Sequence, residues 1–278
     1  MKANHILLRI VIALAVLFAA ASPAAAQKVQ LGEVLVVNTP FVKPGIDAEA
    51  FEQDVLTRVM PAWKGLGKNT EAHFFRADRG KGAGRYWQVW SFRTAKARQA
   101  SMPAIAGMGF SDSIRQKLGP ATTLSPEYIA ASGGYTDFEL IGADKIKKLP
   151  QVELLGVHYI HIIPEKREDF ERFVRDKLHP AVVNKIPGMD LLYYKGVRGE
   201  LAGRYLLIFA IKTDADRARY WPTGSSETQT LKDEFAPLKD LAQELKTYEV
   251  EGTYLPESSG AAAQIFESLE WTDFAILK

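Results

Sequence analysis

The sequence predicts an α+β fold in which two tandem ferredoxin-like (βαββαβ) repeats close sheet on sheet into an α+β barrel. Three observations predict it. The text "AGRY" occurs twice, 119 residues apart. Around it, more than fifty positions align at the same spacing without a gap. The segments that follow, "YWQVWSF" and "YLLIFAI", have large apolar residues at both odd and even positions. Both faces of each sheet are therefore apolar and must be packed against other parts of the protein.

The first repeat, residues 27–146, contains six predicted elements. Four are strands with alternating or wholly apolar residues, at about 32–39, 70–77, 85–93 and 135–141. The first helix carries Phe51, Val55 and Val59 at helical spacing. The second helix is ended by Pro103, and the glycine-rich text "GKGAG" forms a hairpin tip between two strands.

The second repeat, residues 147–256, has the same order of elements. Its strands are predicted at about 154–163, 189–196, 204–212 and 246–252. Phe170, Val174 and Leu178 mark the first helix, and Pro222 ends the second. The apolar residues of the C-terminal tail, 257–278, suit a helix that docks on the barrel or, alternatively, against a second subunit.

The two sheets are expected to pack against each other. A four-stranded sheet with both helices on one side leaves its other side bare. If about ten apolar side chains of each sheet stayed in water, the cost would be about 15–30 kcal/mol. Closure therefore gives a barrel with its helices outside and a lumen inside.

Residues 1–26 have the pattern of a signal peptide. A basic start precedes an apolar run at 10–21, and Ala24 and Ala26 form an A-x-A cleavage site. The run is shorter than the roughly 20 residues of a membrane-spanning helix. We therefore expect cleavage, a periplasmic or secreted protein, and no membrane association afterwards.

The composition argues against several kinds of partner and site. The 278 residues include 35 Lys and Arg, 33 Asp and Glu, and no Cys. Loss of Lys2 and Arg9 with the signal peptide balances the charges, so the basic surface that nucleic acid needs is not expected. The lack of Cys excludes disulfides, thiolate metal sites and Cys nucleophiles.

The order of elements over 30–256 resembles the dimeric α+β barrel superfamily in tandem, single-chain form. The helix text "EDFERFVRDKLHPAVVNKIPGM" at 168–189 is similar to EthD-like families. Those families usually carry His two residues before the Pro, where this chain has Leu178, while His179 adjoins Pro180. The resemblance implies a barrel that binds a small molecule. Family activities include cofactor-free monooxygenation, lactone isomerisation, cyclisation and haem-dependent chemistry, and no single one transfers by motif.

Candidate catalytic residues are polar side chains that break the repeat. Val34 and Val37 align with His158 and His161. Residues three apart on a strand point to opposite faces, so we expect His161 to face the lumen with Tyr159 and to transfer protons. A core histidine bonded to a backbone or tyrosine partner is the alternative. His73, in the second strand, is the third catalytic candidate.

The candidate ligand-binding residues end hairpins or supply aromatic surface. They are His158, Tyr193, Trp90, Arg85 and Arg204. An arginine at the barrel mouth would hold a carboxylate, whereas a solvated charge leaving a turn is the alternative. His179 would bind metal only as a haem ligand, and otherwise stabilises the helix dipole. The sequence requires no cofactor; haem is the one that the resemblance implies.

Three functions stay open. The first is an exported barrel, monomer or homodimer, that binds and in an enzymatic version transforms a small apolar or aromatic molecule in its lumen. The second is a haem-binding barrel. The third is a non-catalytic binding or stress-response protein whose lumen is filled by side chains. The sequence names no substrate.

Overall fold

A computed structural model describes residues 28–64, 66–67, 69–103, 109–132, 135–223, 227–250 and 271–278. The predicted signal peptide lies outside the described residues, as does most of the predicted tail. Within the described ranges, no helix is long and apolar enough to span a bilayer.

Eight strands form a closed barrel in the order β10-β11-β9-β12-β4-β5-β2-β7. Each strand is antiparallel to both neighbours. The strands are β1 (Val29–Gln30), β2 (Val34–Asn38), β3 (Pro40–Val42), β4 (Thr70–Gly80), β5 (Tyr86–Phe92), β6 (Ile129–Ser132), β7 (Thr136–Leu140), β8 (Gln151–Val152), β9 (Leu154–Ile160), β10 (Met189–Gly199), β11 (Tyr205–Ile211) and β12 (Thr272–Ile276). Two small sheets, β1 with β8 and β3 with β6, lie beside the barrel sheet.

The first helix of each half contains a π-helical turn. These helices are α1 (Ala48–Asp54), π turn Val55–Val59 and α2 (Met60–Trp63) in one half, and α5 (Arg167–Phe173), π turn Val174–Leu178 and α6 (His179–Val182) in the other. The remaining helices are α3 (Ala95–Ser101), α4 (Asp112–Leu118), α7 (Asp214–Tyr220), α8 (Gln229–Phe235) and α9 (Lys239–Lys246). Helices α3 and α7 end just before the two predicted proline breaks.

Each half contributes four neighbouring strands in an equivalent order. The first half, residues 34–140, supplies β4-β5-β2-β7, and the second half, residues 154–276, supplies β10-β11-β9-β12. In both, the first strand of the unit lies between its third and fourth, which is the ferredoxin-like arrangement. The halves join where β7 pairs with β10 and where β12 pairs with β4. The predicted fold class is confirmed.

The closing strand of the second half is not where the sequence analysis placed it. In the predicted strand 246–252, Glu249 forms only an isolated bridge with Ile162. The strand that completes the sheet is β12, which pairs with β4 on one side and β9 on the other. The prediction of a docked helix is therefore wrong for Thr272–Ile276, while 257–270 lie outside the described residues.

A sequence signal for β12 exists at a different spacing. The text "YTDFELIG" at 135–142 and the text "WTDFAILK" at 271–278 share T-D-F, 136 residues apart. Continuing the comparison of the two repeats pairs "TDFELIG" at 136–142 with "KTYEVEG" at 246–252 instead, 110 residues apart, because a longer connection precedes the last strand in the second half.

Side chains from both halves fill the barrel interior as one apolar cluster, here called the lumen cluster. Its barrel members are Leu35, Val37, Phe75, Ala77, Trp87, Val89, Phe138, Leu140, Leu155, Val157, Leu192, Tyr194, Leu206, Ile208, Ala210, Phe274 and Ile276. The rings of Trp87 and Phe274 stack at 4.3 Å. Val29 and Val152, from the small β1–β8 sheet, are buried in the same cluster and cover one end of it.

The repeated text "AGRY" has a structural role in both halves. The hydroxyl of Tyr86 donates to Glu52 at 2.7 Å, and the hydroxyl of Tyr205 donates to Glu171 at 2.7 Å. Both acceptors lie on the first helix of their half. Each "AGRY" tyrosine thus ties the exit of a hairpin to the helix that covers the sheet.

Candidate functional site

The antiparallel pairing gives the barrel two distinct ends. Strands β2, β4, β9 and β10 run in one direction, because each is separated from the next by one antiparallel strand. Both hairpin tips, at 81–84 and 200–203, therefore share one end with the ends of β2 and β9. We call this the hairpin end. The start of β4 and the β1–β8 sheet lie at the opposite end.

His161, Tyr159 and Arg204 lie together at the hairpin end. Tyr159 packs against the lumen cluster, as its parity predicts. His161 follows β9 and is partly exposed, and its Nδ1 accepts a hydrogen bond from Arg204 Nη1 at 2.8 Å. Since an accepting Nδ1 leaves the ring hydrogen on Nε2, this histidine presents an N–H group to its surroundings. Arg85 is exposed at the other hairpin.

His73 lies on the lumen face near the opposite end. Its Nε2 is 3.3 Å from Glu71 Oε2. Strands β4 and β9 run in the same direction, and His73 is near the start of β4 whereas His161 follows the end of β9. The three predicted catalytic residues therefore do not form one site.

Three predicted ligand residues face the helices and not the lumen. His158 packs against Phe209, with ring centroids 5.0 Å apart, in the cluster between sheet and helices. Trp90 lies 4.7 Å from Trp63 on the helix side of the first half. Tyr193 belongs to the helix-side cluster of the second half. For His158 this is the expected face, since residues three apart on a strand point to opposite faces and His161 was expected to face the lumen. A ligand in the lumen would contact none of the three. For Trp90 and Tyr193 the face could not be predicted, because both faces of each sheet are apolar and alternation alone does not identify the lumen face.

The helix side of the second half contains buried polar side chains that the first half lacks. His158, His179, Tyr193 and Glu249 are 6%, 1%, 0% and 6% exposed; together they are called the second-half polar cluster. At the positions equivalent to the first three, the first half has Val34, Met60 and Phe74. Those three residues are buried in the apolar cluster of their own half.

The members of the second-half polar cluster face the same layer. The backbone N–H of Tyr193 donates to His179 Nε2 at 3.1 Å, and the two rings lie 6.0 Å apart. Tyr193 pairs with Leu207, which pairs with His158, so these three side chains share one face of the sheet. Glu249 pairs with Ile162, another residue of that layer. Among the described residues, the Tyr193 hydroxyl has no hydrogen-bond partner.

Burial keeps this cluster uncharged at neutral pH. Desolvation raises the pKa of Glu249 to about 9. It lowers the pKa of His158 to about 3 and that of His179 to about 4. The pKa of the Tyr193 hydroxyl is raised well above its usual range, by burial first and then by Glu249. A protonated carboxyl donates a hydrogen bond, and a neutral imidazole accepts a proton.

His179 does not fit the role of a haem ligand. A histidine binds haem iron through the lone pair of a ring nitrogen. The Nε2 lone pair of His179 accepts the Tyr193 N–H, so Nδ1 carries the ring hydrogen. Neither nitrogen has an available lone pair.

Glu249 is the member of the cluster that the sequence analysis missed. It lies in "KTYEVEG", which was taken as the closing strand of the second repeat. An acid inside text that predicts a buried strand was the available signal.

The sequence matches no protein-family model and no curated protein. Solved structures do match. A candidate monooxygenase from Fusobacterium nucleatum aligns over 88% of this chain and 92% of its own, with a TM-score of 0.51 and 11% identity. One from Lactobacillus acidophilus aligns over 88% and 94%, with a TM-score of 0.47 and 10% identity. A chlorite dismutase variant from Candidatus Nitrospira defluvii aligns over 88% and 93%, with a TM-score of 0.42 and 11% identity.

The likeness to the Fusobacterium nucleatum structure shows a shared fold. It shows nothing of the reaction, since one fold serves many functions. The function has to be argued from the side chains of this chain.

Proposed function

We propose that this chain binds a small, largely apolar or aromatic molecule through the second-half polar cluster, between the sheet and the helices of that half. The observation that carries the proposal is the contrast between the halves. Equivalent positions hold Val34, Met60 and Phe74 in one half and ionisable side chains in the other. The first half also buries polar side chains on its helix side, but Asn38 and Gln88 satisfy each other there through a hydrogen bond at 3.0 Å. The buried Tyr193 hydroxyl has no such partner among the described residues. Because burying an unsatisfied polar group costs free energy, we infer that the second-half polar cluster serves a purpose other than folding.

The chemistry of the cluster defines the class of ligand. The Tyr193 hydroxyl is available as donor and acceptor, and Glu249 carries a carboxyl proton at neutral pH. Apolar rings, including Phe170 at 5.9 Å from Tyr193, surround them. An aromatic alcohol, ketone or quinone matches this environment, with its oxygen at the polar groups and its rings among the apolar ones. In an enzymatic version, Glu249 donates its proton to the bound oxygen.

The lumen supports the proposal less well. Its apolar side chains fill it from both halves. The hydroxyl of Tyr194, which belongs to the lumen cluster, already donates to the carbonyl of Gly32 at 3.0 Å. A haem-binding function has no support from His179, whose Nε2 is engaged.

Export and an origin by duplication belong to the same proposal. The pattern of residues 1–26 supports export. The contacts that recur at a spacing of 119 residues support a duplicated unit, and the helix text at 168–189 supports an EthD-like character of that unit. Expression in a bacterial host with N-terminal sequencing of the exported protein tests the first part: a mature chain that starts at Gln27 is expected, and an uncleaved chain in the cytoplasm would contradict it.

Neighbouring tyrosines that face opposite sides of one strand test the binding site. With 1-naphthol and menadione as probes, titration by intrinsic fluorescence is expected to show binding to the wild type. Tyr193→Phe should weaken it about 10-fold, because a hydrogen bond of about 1.4 kcal/mol is lost. Tyr194→Phe, the matched control, should leave it unchanged. Weakening by Tyr194→Phe alone would place the ligand in the lumen, and no binding of either probe to the wild type would refute the proposal.

A further inference from the structure

The two junctions between the halves carry equivalent ionic clusters. At one junction, Arg98 and Arg198 both bind Asp137 of β7, the second at 3.0 Å; this is the Arg98 cluster. At the other, Arg217 lies 3.7 Å from Asp273 of β12; this is the Arg217 cluster. Arg98 and Arg217 are 119 residues apart, and the two aspartates occupy the shared T-D-F text.

The backbone contacts of the two junctions are equivalent as well. Arg198 donates to the carbonyl of Met102 at 3.1 Å, and Arg79 donates to the carbonyl of Trp221 at 3.0 Å. Both the donors and the acceptors are 119 residues apart. Each residue of one cluster therefore has an equivalent position in the other.

Two carboxylates of the Arg217 cluster have no equivalent in the Arg98 cluster. The Nη1 of Arg217 donates to the two oxygens of Asp78 at 2.9 and 2.7 Å. Its Nε and Nη2 donate to Asp214 Oδ1 at 3.0 and 2.6 Å. The residues at the corresponding positions of the Arg98 cluster are Val197 and Ala95.

The Arg98 guanidinium is left with unused hydrogen-bonding capacity. It is 5% exposed, and its Nε has no hydrogen-bond partner among the described residues. Besides its contact with Asp137, the Nη1 of Arg98 donates to Gln99 Oε1 at 3.4 Å. Burial lowers the pKa of Arg98, whereas for Arg217 burial is outweighed by Asp78 and Asp214, and its pKa is raised.

The two clusters also differ in their balance of arginines and carboxylates. The Arg98 cluster has two arginines and one aspartate in direct contact, and the exposed Glu139 acts on Arg98 and Asp137 over a longer distance, which balances the charge. The Arg217 cluster has three carboxylates, those of Asp78, Asp214 and Asp273, against Arg217 and the nearby Arg79, so it carries more negative charge than the Arg98 cluster. A buried guanidinium with too few anionic partners is a site for an anion.

We propose that the Arg98 cluster binds the carboxylate of a small organic molecule, in the place that the Asp78 and Asp214 carboxylates occupy beside Arg217. Both vacated positions open to solvent, since Ala95 is exposed and Val197 is 41% exposed. Val197 also offers an apolar contact, which favours an organic carboxylate over an inorganic anion. The site lies at the Arg98 junction, in a different layer from the second-half polar cluster. The proposal can therefore be tested independently of the proposed function.

Thermal unfolding with sodium benzoate as the probe tests the proposal. At pH 7.5 and constant ionic strength, replacing 50 mM sodium chloride by benzoate is expected to raise the Tm of the wild type by about 2–4 °C. Val197→Asp supplies the missing carboxylate at an exposed position, so it should raise the Tm in chloride and abolish the response to benzoate. Ala95→Asp should do the same from the second position.

The Arg217 cluster provides the reciprocal control. Asp78→Val removes a carboxylate there and should create a response to benzoate of similar size. The proposal is overturned if the wild type shows no response, if Val197→Asp and Ala95→Asp respond as the wild type does, or if sodium sulfate gives the same shift as benzoate.

Discussion

Glu249 is a buried acid whose folded state favours its protonated form. Its side chain lies in an apolar layer, and burial raises its pKa to about 9 from an ordinary value of 4.5. The contribution of Glu249 to the free energy of unfolding is therefore most favourable below about pH 4.5, where the carboxyl is protonated in both the folded and the unfolded chain. The free energy of unfolding falls as the pH rises from there towards 9, because the unfolded chain releases the proton and the folded chain does not.

Glu249→Gln is therefore expected to remove a pH dependence of stability. The free energy of unfolding of the variant should exceed that of the wild type by an amount that grows with pH. The growth is at most about 1.4 kcal/mol per pH unit between pH 5 and pH 8, the value for one proton. Urea unfolding of both proteins at four pH values in this window measures it. Parallel stability curves would show that the carboxyl is not protonated in the folded state.

Part of this cluster could be predicted from residues that break the internal similarity. His158 was identified in this way, since its equivalent Val34 is apolar, and its face follows from strand alternation once His161 is assigned to the lumen. Tyr193 was a candidate as an aromatic side chain, and His179 as a haem ligand. The face on which Tyr193 lies could not be predicted, because both sides of its strand are buried under apolar side chains. Glu249 was not identified, because the pairing of "TDFELIG" with "KTYEVEG" aligns it with Glu139, so it does not break the similarity.

At the scale of elements, β12 decides whether the sheet is closed. Its pairing with β4 runs from Thr272 opposite Gly80 to Ile276 opposite Phe75, and it also pairs with β9. Phe274 stacks on Trp87 inside the lumen. This one short strand satisfies the hydrogen bonds of two neighbours and fills part of the interior.

A chain shortened to residue 270 is expected to lose cooperative unfolding and to aggregate. Its β4 and β9 would become open edges, which pair with other chains. Adding the peptide "WTDFAILK" in excess should restore a cooperative transition in circular dichroism and a monomeric elution volume. A peptide with the change Phe274→Lys serves as the control and should not restore them. Unaltered unfolding of the shortened chain would contradict the role given to β12.

Most elements follow from local sequence, and β12 does not. Alternation and apolar runs predict the other barrel strands, and proline positions predict the ends of α3 and α7. The partner of a strand is a property of the whole sheet. The text 246–252 is compatible with a strand, but its place is taken by residues that lie more than twenty positions further along the chain.

At the scale of the whole molecule, each half depends on the other to pair the edge strands of its sheet and to cover the lumen face of that sheet. Strand β7 of the first half pairs with β10 of the second, and β12 of the second half pairs with β4 of the first. The lumen cluster draws its side chains from both. Closure could be predicted from sequence, since apolar residues on both faces of each sheet require a second sheet.

Fragments 27–150 and 151–278 are therefore expected to be unfolded or aggregated when made separately. Each would expose the lumen face of its sheet and two strand edges. When mixed after joint refolding, they should form a 1:1 complex with the circular dichroism spectrum of the intact chain, measured together with size-exclusion chromatography. Stable, monomeric and well-folded single fragments would show that the halves are independent.

The position of β12 also governs when the barrel can form during synthesis. Seven of the eight barrel strands lie before residue 212, yet the gap between β4 and β9 stays open until residue 276 has left the ribosome. During translation the barrel sheet of the nascent chain thus stays open between β4 and β9 until β12 has been made. Until then the edges of β4 and β9 stay unpaired, so the barrel cannot close on the first seven strands alone.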